Sequence, residues 1–299
     1  MAKNINFVNR TTGKFYRKVL RSMIDPITEH LPDGWTESRD CMKDSLNIHF
    51  FREKRSYIEH LHFNNGINLF ISHGIADKNW RNAQFVNKFD YIFVSGPLWV
   101  KKMVSQGMPE NKILVNGYTK LDPIFQGKYK RKEGNKKRIL WGPTHNLGGW
   151  TLRKSVSSYP SLEPFLDKFP KDVEVIISPH PANSEDGNPT MQALVDCDAV
   201  ISDCSSIIYE AWALNKPVIF PGWLVKHEIL RLYKTSFESV IFQKGIGLHA
   251  NDAGQLVKLA VSACEKGISE GEREFIGGIF PVELRGKSGE KTAEILRRL

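Results

Sequence analysis

Cysteine is scarce in this sequence of 299 residues, and its four occurrences follow no recognisable framework. Cys41, Cys197, Cys204 and Cys264 have neither the spacing of a zinc site nor that of a disulfide-linked domain. No apolar run approaches the ~20 residues that a helix needs to cross a bilayer. Residues 1–7 also lack the apolar core of a signal peptide. These absences predict a cytoplasmic protein without a transmembrane segment.

Motifs for bound metal ions are missing as well. His60 and His62 form a His-x-His pair beside Glu59, but no further residues complete a ligand set around them. The chain has no Walker lysine motif, and we identify no Asp-x-Asp motif of the type that metal-dependent glycosyltransferases use. We expect neither a metal site nor a cofactor.

Positive charge is concentrated in one segment. The chain has 42 Lys and Arg against 33 Asp and Glu, a net charge of +9. Residues 126–138 hold seven Lys or Arg and one Glu, which is +6 of that total. A basic segment is typical of proteins that contact nucleic acid or an anionic membrane, and equally of a solvated linker. Charge alone leaves these alternatives open.

Short apolar runs recur along the whole chain and predict buried strands. Each run is nearly continuous and bounded by turn residues, which is typical of parallel strands covered on both faces. In the first half these runs are 5–8, 46–51, 68–72, 91–95 and 112–116. In the second half they are 138–142, 173–178, 199–202 and 217–220. The pattern predicts an α/β protein with two Rossmann-like domains.

The basic segment separates the two sets of strands, so we place the domain boundary there. Residues 1–125 form the predicted first domain, 126–137 a linker and 138–299 the second domain. In the first domain, apolar residues recur at every fourth position from Phe15 to Ile27, which predicts an amphipathic helix. Such a helix covers a sheet or docks on a membrane surface, and we favour the sheet.

The segment 198–220 contains the clearest candidate for a ligand site, a predicted strand, polar turn, helix and second strand. Asp203, Ser205 and Ser206 are residue types that cap helices, so the helix is predicted to begin there. Backbone N–H groups at a helix start, with two hydroxyls beside them, would suit a pyrophosphate. Glu210 follows Ser206 by one helical turn and could accept hydrogen bonds from ribose hydroxyls. A plain helix cap with a solvated glutamate is the alternative.

Several motifs resemble those of the CDP-glycerol glycerophosphotransferases, the family that builds teichoic acids. Residues 202–206 resemble the family's Thr-Asp-Tyr-Ser-Ser signature, and also the Ser-Gly-Gly…Glu segment of UDP-sugar epimerases. In the same order along the chain, 71–79 resembles Trp-His-Gly-Thr-Pro-Leu-Lys and 140–145 resembles Tyr-Ala-Pro-Thr-Phe/Trp-Arg. Residues 177–181 resemble Arg-x-His-Pro, and 116–122 more weakly resemble Gly-Tyr-Pro-Arg-x-Asp.

This resemblance implies a GT-B fold, in which two Rossmann-like domains face a cleft, and a metal-independent transfer from a nucleotide-diphosphate donor. The second domain would bind that donor through residues of three motifs: Gly142, Pro143, Thr144, His145, Asp203, Ser205, Ser206 and Glu210. The first domain would present the acceptor near Gly74, Lys78 and Asp122. The last helix, 290–299, would be able to cross back to the first domain.

His73 and His180 are the candidate catalytic residues. Each follows a predicted strand, and ligands of open α/β sheets gather at the carboxyl ends of strands. His73, next to Gly74, could act as the general base that deprotonates an acceptor hydroxyl. His180 could donate to the leaving phosphate or, when charged, neutralise it. A purely structural role is the alternative for both histidines.

The expected reaction moves glycerol phosphate from CDP-glycerol to the hydroxyl of a polyol-phosphate or lipid-linked acceptor and releases CMP. The protein would work in the cytoplasm, alone or in peripheral contact with an anionic surface. However, His145-Asn146 replaces the family's arginine after Pro-Thr, and Ser178 replaces the arginine of Arg-x-His-Pro. Together with the basic segment, this departure favours an alternative, a glycosyltransferase that uses a nucleotide sugar on a polyanionic acceptor such as modified DNA. A non-catalytic nucleotide-sugar binding module is a second alternative.

Overall fold

The protein contains two compact α/β units. The computed structural model describes residues 4–10, 14–50, 66–78, 85–146, 155–180 and 190–299. The first unit comprises Met1–Ile75, Arg81–Gln126 and Gly277–Leu299, and the second comprises Ala76–Trp80 and Gly127–Ile276. The basic segment from residue 127 onward thus belongs to the second unit, and the C-terminal end of the chain belongs to the first.

A parallel sheet of six strands forms the centre of the first unit. Its strands are β1 (Asn4–Val8), β2 (Thr36–Ser38), β3 (Ser45–His49), β4 (Ile67–Ile71), β5 (Tyr91–Val94) and β6 (Ile113–Val115). They lie in the order β2-β1-β3-β4-β5-β6, and each pairs in parallel with its neighbours. Strands β1, β3, β4 and β5 are buried along almost their whole length, as expected of parallel strands covered on both faces.

The second unit is built on a parallel sheet of five strands in the order β11-β10-β9-β7-β8. Its strands are β7 (Lys137–Trp141), β8 (Val173–Ile177), β9 (Ala199–Ile201), β10 (Val218–Pro221) and β11 (Leu248–Ala250). A continuous apolar cluster that includes Trp141, Leu162, Ile219 and Leu256 packs against this sheet. The two parallel sheets confirm the predicted α/β class.

Helices alternate with the strands in both units. The described α-helices are α1 (Lys14–Thr28), α2 (Pro97–Ser105), α3 (Asp122–Phe125), α4 (Thr190–Asp196), α5 (Ile207–Ala213), α6 (Gly222–Leu232), α7 (Phe237–Lys244), α8 (Ala253–Ala263), α9 (Glu270–Ile279) and α10 (Ser288–Arg298). Short 3₁₀ turns occupy Glu110–Lys112, Thr119–Leu121, Glu163–Lys168 and Val282–Leu284. Strands β2 and β11 lie outside the sequence prediction, because their residues, Thr-Glu-Ser and Leu-His-Ala, do not form a continuous apolar run.

Helix α1 directs its apolar side into the first unit. The buried residues of that side are Leu20, Met23, Ile24 and Ile27. Helix α10 packs closely against α1, since a Cβ atom added to Gly289 would come within 2.0 Å of the carbonyl oxygen of Pro26. From Leu20 to Ile27 the apolar face of α1 is therefore buried within the first unit, where α1 contacts α10 and the 3₁₀ turn at Thr119–Leu121, so this part of the face is not available to dock on a membrane.

A buried polar layer crosses the first sheet. Asn6, Asn47 and Asn68 are fully buried and lie in register on β1, β3 and β4. The amide of Asn6 donates to the side-chain oxygen of Asn47 (2.9 Å), and that of Asn47 donates to the carbonyl of Met42 (2.9 Å). Because each buried amide is paired, this layer satisfies polar atoms that a sheet interior would otherwise leave unpaired.

His49 extends this polar layer. Its Nε2 lies 3.4 Å from Oδ1 of Asn68 and 3.6 Å from Sγ of Cys41, and its ring packs edge-on against Phe89. Burial lowers the pKa of His49 to about 4. The neutral imidazole is therefore the form that fits the folded first unit.

We predict that this buried histidine makes the first unit sensitive to acid. Since the folded-state pKa lies below the unfolded value of 6.5, its contribution is present above about pH 6.5 and is lost as the pH falls towards 4. The loss should reach about 3 kcal/mol of unfolding free energy. Urea-induced unfolding, followed in steps between about pH 7 and pH 4, should show a weaker pH dependence for His49→Gln. His227→Gln, at an exposed position on α6, is the control. Identical profiles for His49→Gln and the unmodified protein would contradict the prediction.

Candidate functional site

The candidate site lies at the carboxyl edge of the second sheet, where the direction of strand order changes. The chain runs from β7 outward to β8 and then returns to β9 on the other side of β7. In open α/β sheets, ligands bind at this kind of switch point, outside the carboxyl ends of the strands. The residues that follow β7, β8 and β9 are 142–146, 178–180 and 202–206. These are the segments in which the sequence predicted donor-binding residues.

Asp203 holds the loops of this edge together. Its carboxylate is fully buried and accepts hydrogen bonds from the backbone N–H groups of Thr144 (3.0 Å), Cys204 (2.6 Å) and Ser158 (2.8 Å). The hydroxyl of Ser158 donates a fourth bond of 3.0 Å. A carboxylate has about four acceptor sites, and all are used here within the protein. Asp203 therefore positions the site instead of contacting a donor directly, which corrects the sequence prediction.

Two half-buried serines stand beside this anchor. The hydroxyl of Ser205 lies 3.1 Å from that of Ser202, and Ser202 donates to the carbonyl of Gly142 (2.8 Å). The hydroxyl of Ser206 accepts the backbone N–H of Ala76 at 3.3 Å. The predicted capping of α5 by a side chain is not found. Ser206 occupies the N-cap position, and no side-chain capping bond is made there.

Two histidines approach one another at the same edge. The rings of His145, after β7, and His180, after β8, meet edge to face with centroids 5.1 Å apart. Nε2 of His145 also lies 3.3 Å from the hydroxyl of Ser155. Both histidines are half-buried. The structure thus brings together two histidines that the sequence placed in separate motifs. In the loop after β7, Gly142, Pro143 and Thr144 are buried.

Glu210 occupies a different environment from the predicted one. It lies in α5, a helix of seven residues whose side chains are all buried, and only 1% of Glu210 is exposed. A ribose in contact with solvent would not reach a carboxylate at that depth. The solvated-glutamate alternative is also wrong for the same reason.

The segment 76–78 is part of the second unit and docks beside the serines. Glu238, fully buried at the start of α7, accepts the backbone N–H groups of Asp77 (2.9 Å) and Lys78 (2.8 Å) on its two carboxylate oxygens. Asp77 in return accepts the backbone N–H of Phe237 (2.8 Å). The ammonium of Lys78 donates to the hydroxyl of Thr144. Lys78 therefore lies in the second unit beside Thr144, and not in the first domain where the sequence analysis placed it.

His73 and Gly74 lie in the first unit, directly after β4. Nδ1 of His73 is 3.2 Å from the carbonyl oxygen of Phe50, and the hydroxyl of Tyr118 donates to the carbonyl of His73 (3.3 Å). Because a carbonyl only accepts, the hydrogen of a neutral His73 ring resides on Nδ1. Nε2 is then the ring nitrogen able to take a proton.

Asp122 is buried elsewhere in the first unit. Its Oδ2 accepts the backbone N–H of Gly289, at the start of α10, at 2.6 Å. Burial raises the pKa of this carboxyl, although hydrogen bonds from the α10 backbone act in the opposite direction. Asp122 therefore anchors α10, and its predicted contact with an acceptor is corrected.

The basic segment is neutralised in large part by acidic residues of its own unit. Arg131 pairs with Asp198 (2.6 Å) and Lys137 pairs with Glu265 (2.6 Å). Two further pairs join Lys132 to Asp196 (3.8 Å) and Arg138 to Glu174 (3.1 Å). Asp196 and Asp198 form an Asp-x-Asp pair that the sequence analysis passed over, and these contacts show that both engage basic side chains.

No group of three potential metal ligands occurs among the residues that the structure describes. The His60, His62 and Glu59 motif lies outside those residues. In the same described ranges, no helix is long and apolar enough to span a membrane.

Sequence reasoning missed several residues that shape the site. Glu238, Asp77, Tyr209 and Ser158 are all buried and hydrogen-bonded there, with Tyr209 donating to Glu238 at 2.6 Å. A local signal existed only for Glu238. An acid two residues after a serine is typical of the first turn of a helix, and Ser236 does cap α7.

No family model and no curated protein sequence matches the chain, but solved structures resemble it over nearly its whole length. The wall teichoic acid polymerase TagF superposes with a TM-score of 0.64 at 14% identity, over 99% of this chain and 88% of that one. A putative UDP-N-acetylglucosamine 2-epimerase from Listeria monocytogenes gives 0.59 at 11% identity, over 97% and 94%. UDP-GlcNAc 2-epimerase from Neisseria meningitidis, solved with UDP-GlcNAc bound, gives 0.58 at 12% identity, over 100% of both chains. These likenesses confirm the predicted GT-B fold.

We predict that Asp203 is essential to the stability of the second unit. Asp203→Asn should lower the free energy of unfolding by about 3 kcal/mol or more, because an amide offers one acceptor oxygen and turns N–H groups towards N–H donors. Asp252→Asn is the matched control: Asp252 caps α8 at an exposed position, where Asn caps equally well, so the change should stay below about 0.5 kcal/mol. Urea-induced unfolding measures both. Equal stability of Asp203→Asn and the unmodified protein would overturn the anchoring role.

Proposed function

We propose that the protein is a metal-independent transferase that uses a nucleotide-diphosphate donor. One observation carries this proposal: Thr144, His145, His180, Ser205 and Ser206 converge at the switch point of the second sheet. Hydroxyls and imidazoles suit phosphate oxygens, since they donate hydrogen bonds without needing a metal ion as intermediary. The GT-B fold, with neighbours described as a teichoic acid polymerase and as epimerases of a UDP-sugar, supports the same reading.

The first candidate reaction transfers glycerol phosphate from CDP-glycerol. The acceptor hydroxyl would attack the phosphorus that bears glycerol, a new P–O bond would form, and the bond to the oxygen bridging the two phosphates would break. CMP would leave, and the hydroxyl proton would pass to a base. His180 would then donate to the leaving phosphate. The motifs shared with the glycerophosphotransferases and the solved TagF structure support this candidate.

The second candidate reaction transfers a sugar from a nucleotide sugar. Here the acceptor hydroxyl would attack the anomeric carbon and pass its proton to a base, and a new C–O bond would form. The bond between the anomeric carbon and the diphosphate oxygen would break, so the leaving group is a nucleoside diphosphate. The specific observation in its favour is the likeness to 2-epimerases, one of them solved with UDP-GlcNAc. The replacement of two motif arginines of the glycerophosphotransferases, by His145-Asn146 and by Ser178, favours it as well. A polyol phosphate, a lipid-linked chain and nucleic acid are the acceptor classes proposed for either reaction.

A donor screen distinguishes these candidates and tests the site. We expect calorimetry to detect binding of CDP or UDP, and we expect Ser205→Ala/Ser206→Ala to weaken it about tenfold or more, because two hydroxyl donors to phosphate are lost. Release of CMP from CDP-glycerol identifies the first reaction, and release of CDP or UDP from a nucleotide sugar identifies the second. Ser262→Ala, at an exposed position in α8, is the control. Binding without any release would point to a binding module, and no binding of either nucleotide would overturn the proposal.

His73 is proposed as the general base. The contact of Nδ1 with the carbonyl of Phe50 leaves Nε2 as the nitrogen that takes the proton of an acceptor hydroxyl. His73→Asn keeps an N–H donor for Phe50 but removes the base, so turnover should fall about 100-fold. Steady-state kinetics with the donor from the screen measures this, and affinity for that donor should stay unchanged. Near-normal turnover would exclude the role.

A further inference from the structure

Several hydrogen bonds to buried carboxylates hold the segment 76–78 in the second unit. Both carboxylate oxygens of Glu238 accept N–H groups from its backbone, and the hydroxyl of Tyr209 donates to the same carboxylate. Asp77 is fully buried and accepts the backbone N–H of Phe237. These charge-assisted bonds are stronger than neutral ones, so the segment has a fixed position on α7.

Lys78 adopts a backbone conformation that lysine rarely takes. Its φ angle is +44°, in the left-handed region that a residue with a Cβ atom enters only at a cost. The two anchors next to it, Glu238 and Asp77, supply the hydrogen bonds that hold this conformation. The strained backbone sets the direction in which the lysine side chain leaves the segment.

The side chain of Lys78 runs to the loop after β7. Its ammonium donates to the hydroxyl of Thr144, whose backbone N–H is fixed by Asp203. A hydroxyl carries no charge, and no carboxylate of the described residues forms an ion pair with this ammonium. The contact therefore places the ammonium beside a neutral hydroxyl at the switch point, and not in an ion pair.

We propose that Lys78 binds the diphosphate of the donor and makes the site selective for nucleoside diphosphates over monophosphates. This inference rests on the proposed function, since it concerns the same site. In general, a histidine side chain is charged only in part near neutral pH, whereas a lysine side chain is charged. Every phosphate of a diphosphate ester carries at least one negative charge. In the proposed metal-independent reaction, the ammonium held at the hydroxyl of Thr144 supplies compensating charge.

The experiment measures the affinities for CDP and CMP by calorimetry in the full chain. Lys78→Met removes the charge and keeps the length of the side chain, so we expect affinity for CDP to fall about 10- to 100-fold. The affinity for CMP should change less, because only one phosphate is present. Lys78→Arg, which keeps the charge, should recover part of the loss. Lys266→Met removes an exposed charge of the same unit and should leave both affinities unchanged.

The outcomes separate this inference from the proposed function. If the unmodified protein binds CDP and Lys78→Met binds it equally well, Lys78 has no role in donor recognition, while the proposed function stands. If the unmodified protein binds neither CDP nor UDP, the proposed function fails and the inference with it. An equal loss for CDP and CMP would overturn the selectivity. A structural role alone would lower the melting temperature of Lys78→Met and leave the ratio of the two affinities unchanged.

Discussion

The carboxylate of Asp203 holds the loops on which the candidate site depends. It accepts N–H groups from the loop after β7, from its own loop after β9, and from Ser158 of a third segment. A buried charge is costly unless hydrogen bonds compensate it, and here four bonds do so. These bonds fix the backbone of Thr144 and of Cys204, next to Ser205 and Ser206, in the absence of a ligand. A backbone that is already ordered lowers the entropic cost of binding a ligand.

Buried acids do similar work at three other places in the molecule. Glu238 holds the segment 76–78, Asp122 holds the start of α10, and Asp196 accepts the backbone N–H of Lys132 in the loop before β7. In each case the partner is an N–H group of a loop or of a helix end, which helices and strands cannot satisfy internally. The protein thus places its buried negative charge where the backbone needs acceptors. Those carboxylates are consequently not available to bind substrate.

This use of carboxylates explains where sequence reasoning succeeded and where it failed. The strands could be predicted, because burial on both faces leaves continuous apolar runs such as 138–142, and the motif at 202–206 correctly marked an edge of the second sheet. The role of Asp203 could not be predicted, since whether an acid faces a ligand or the backbone depends on Ser158, which lies far away in sequence. Lys78 was assigned to the acceptor side because it follows His73 closely, although the chain changes unit between them.

The distribution of charge distinguishes two regions that could bind an anion, the basic segment 126–138 and the switch point of the second sheet. The basic segment carries most of the net charge, but Arg131, Lys132, Lys137 and Arg138 are paired with acids of the same unit. Paired charges at the surface produce little electrostatic field at a distance, so the segment should attract a polyanion less strongly than its number of Lys and Arg residues suggests.

At the switch point, by contrast, hydroxyls, imidazoles and the ammonium of Lys78 lie near backbone that buried acids hold in place. These groups carry too little positive charge to bind a nucleic-acid duplex, but they include hydrogen-bond donors suited to two adjacent phosphates. The proposed binding of a diphosphate donor would therefore depend on short-range hydrogen bonds, and it should be less sensitive to salt than binding of an anion by the basic segment.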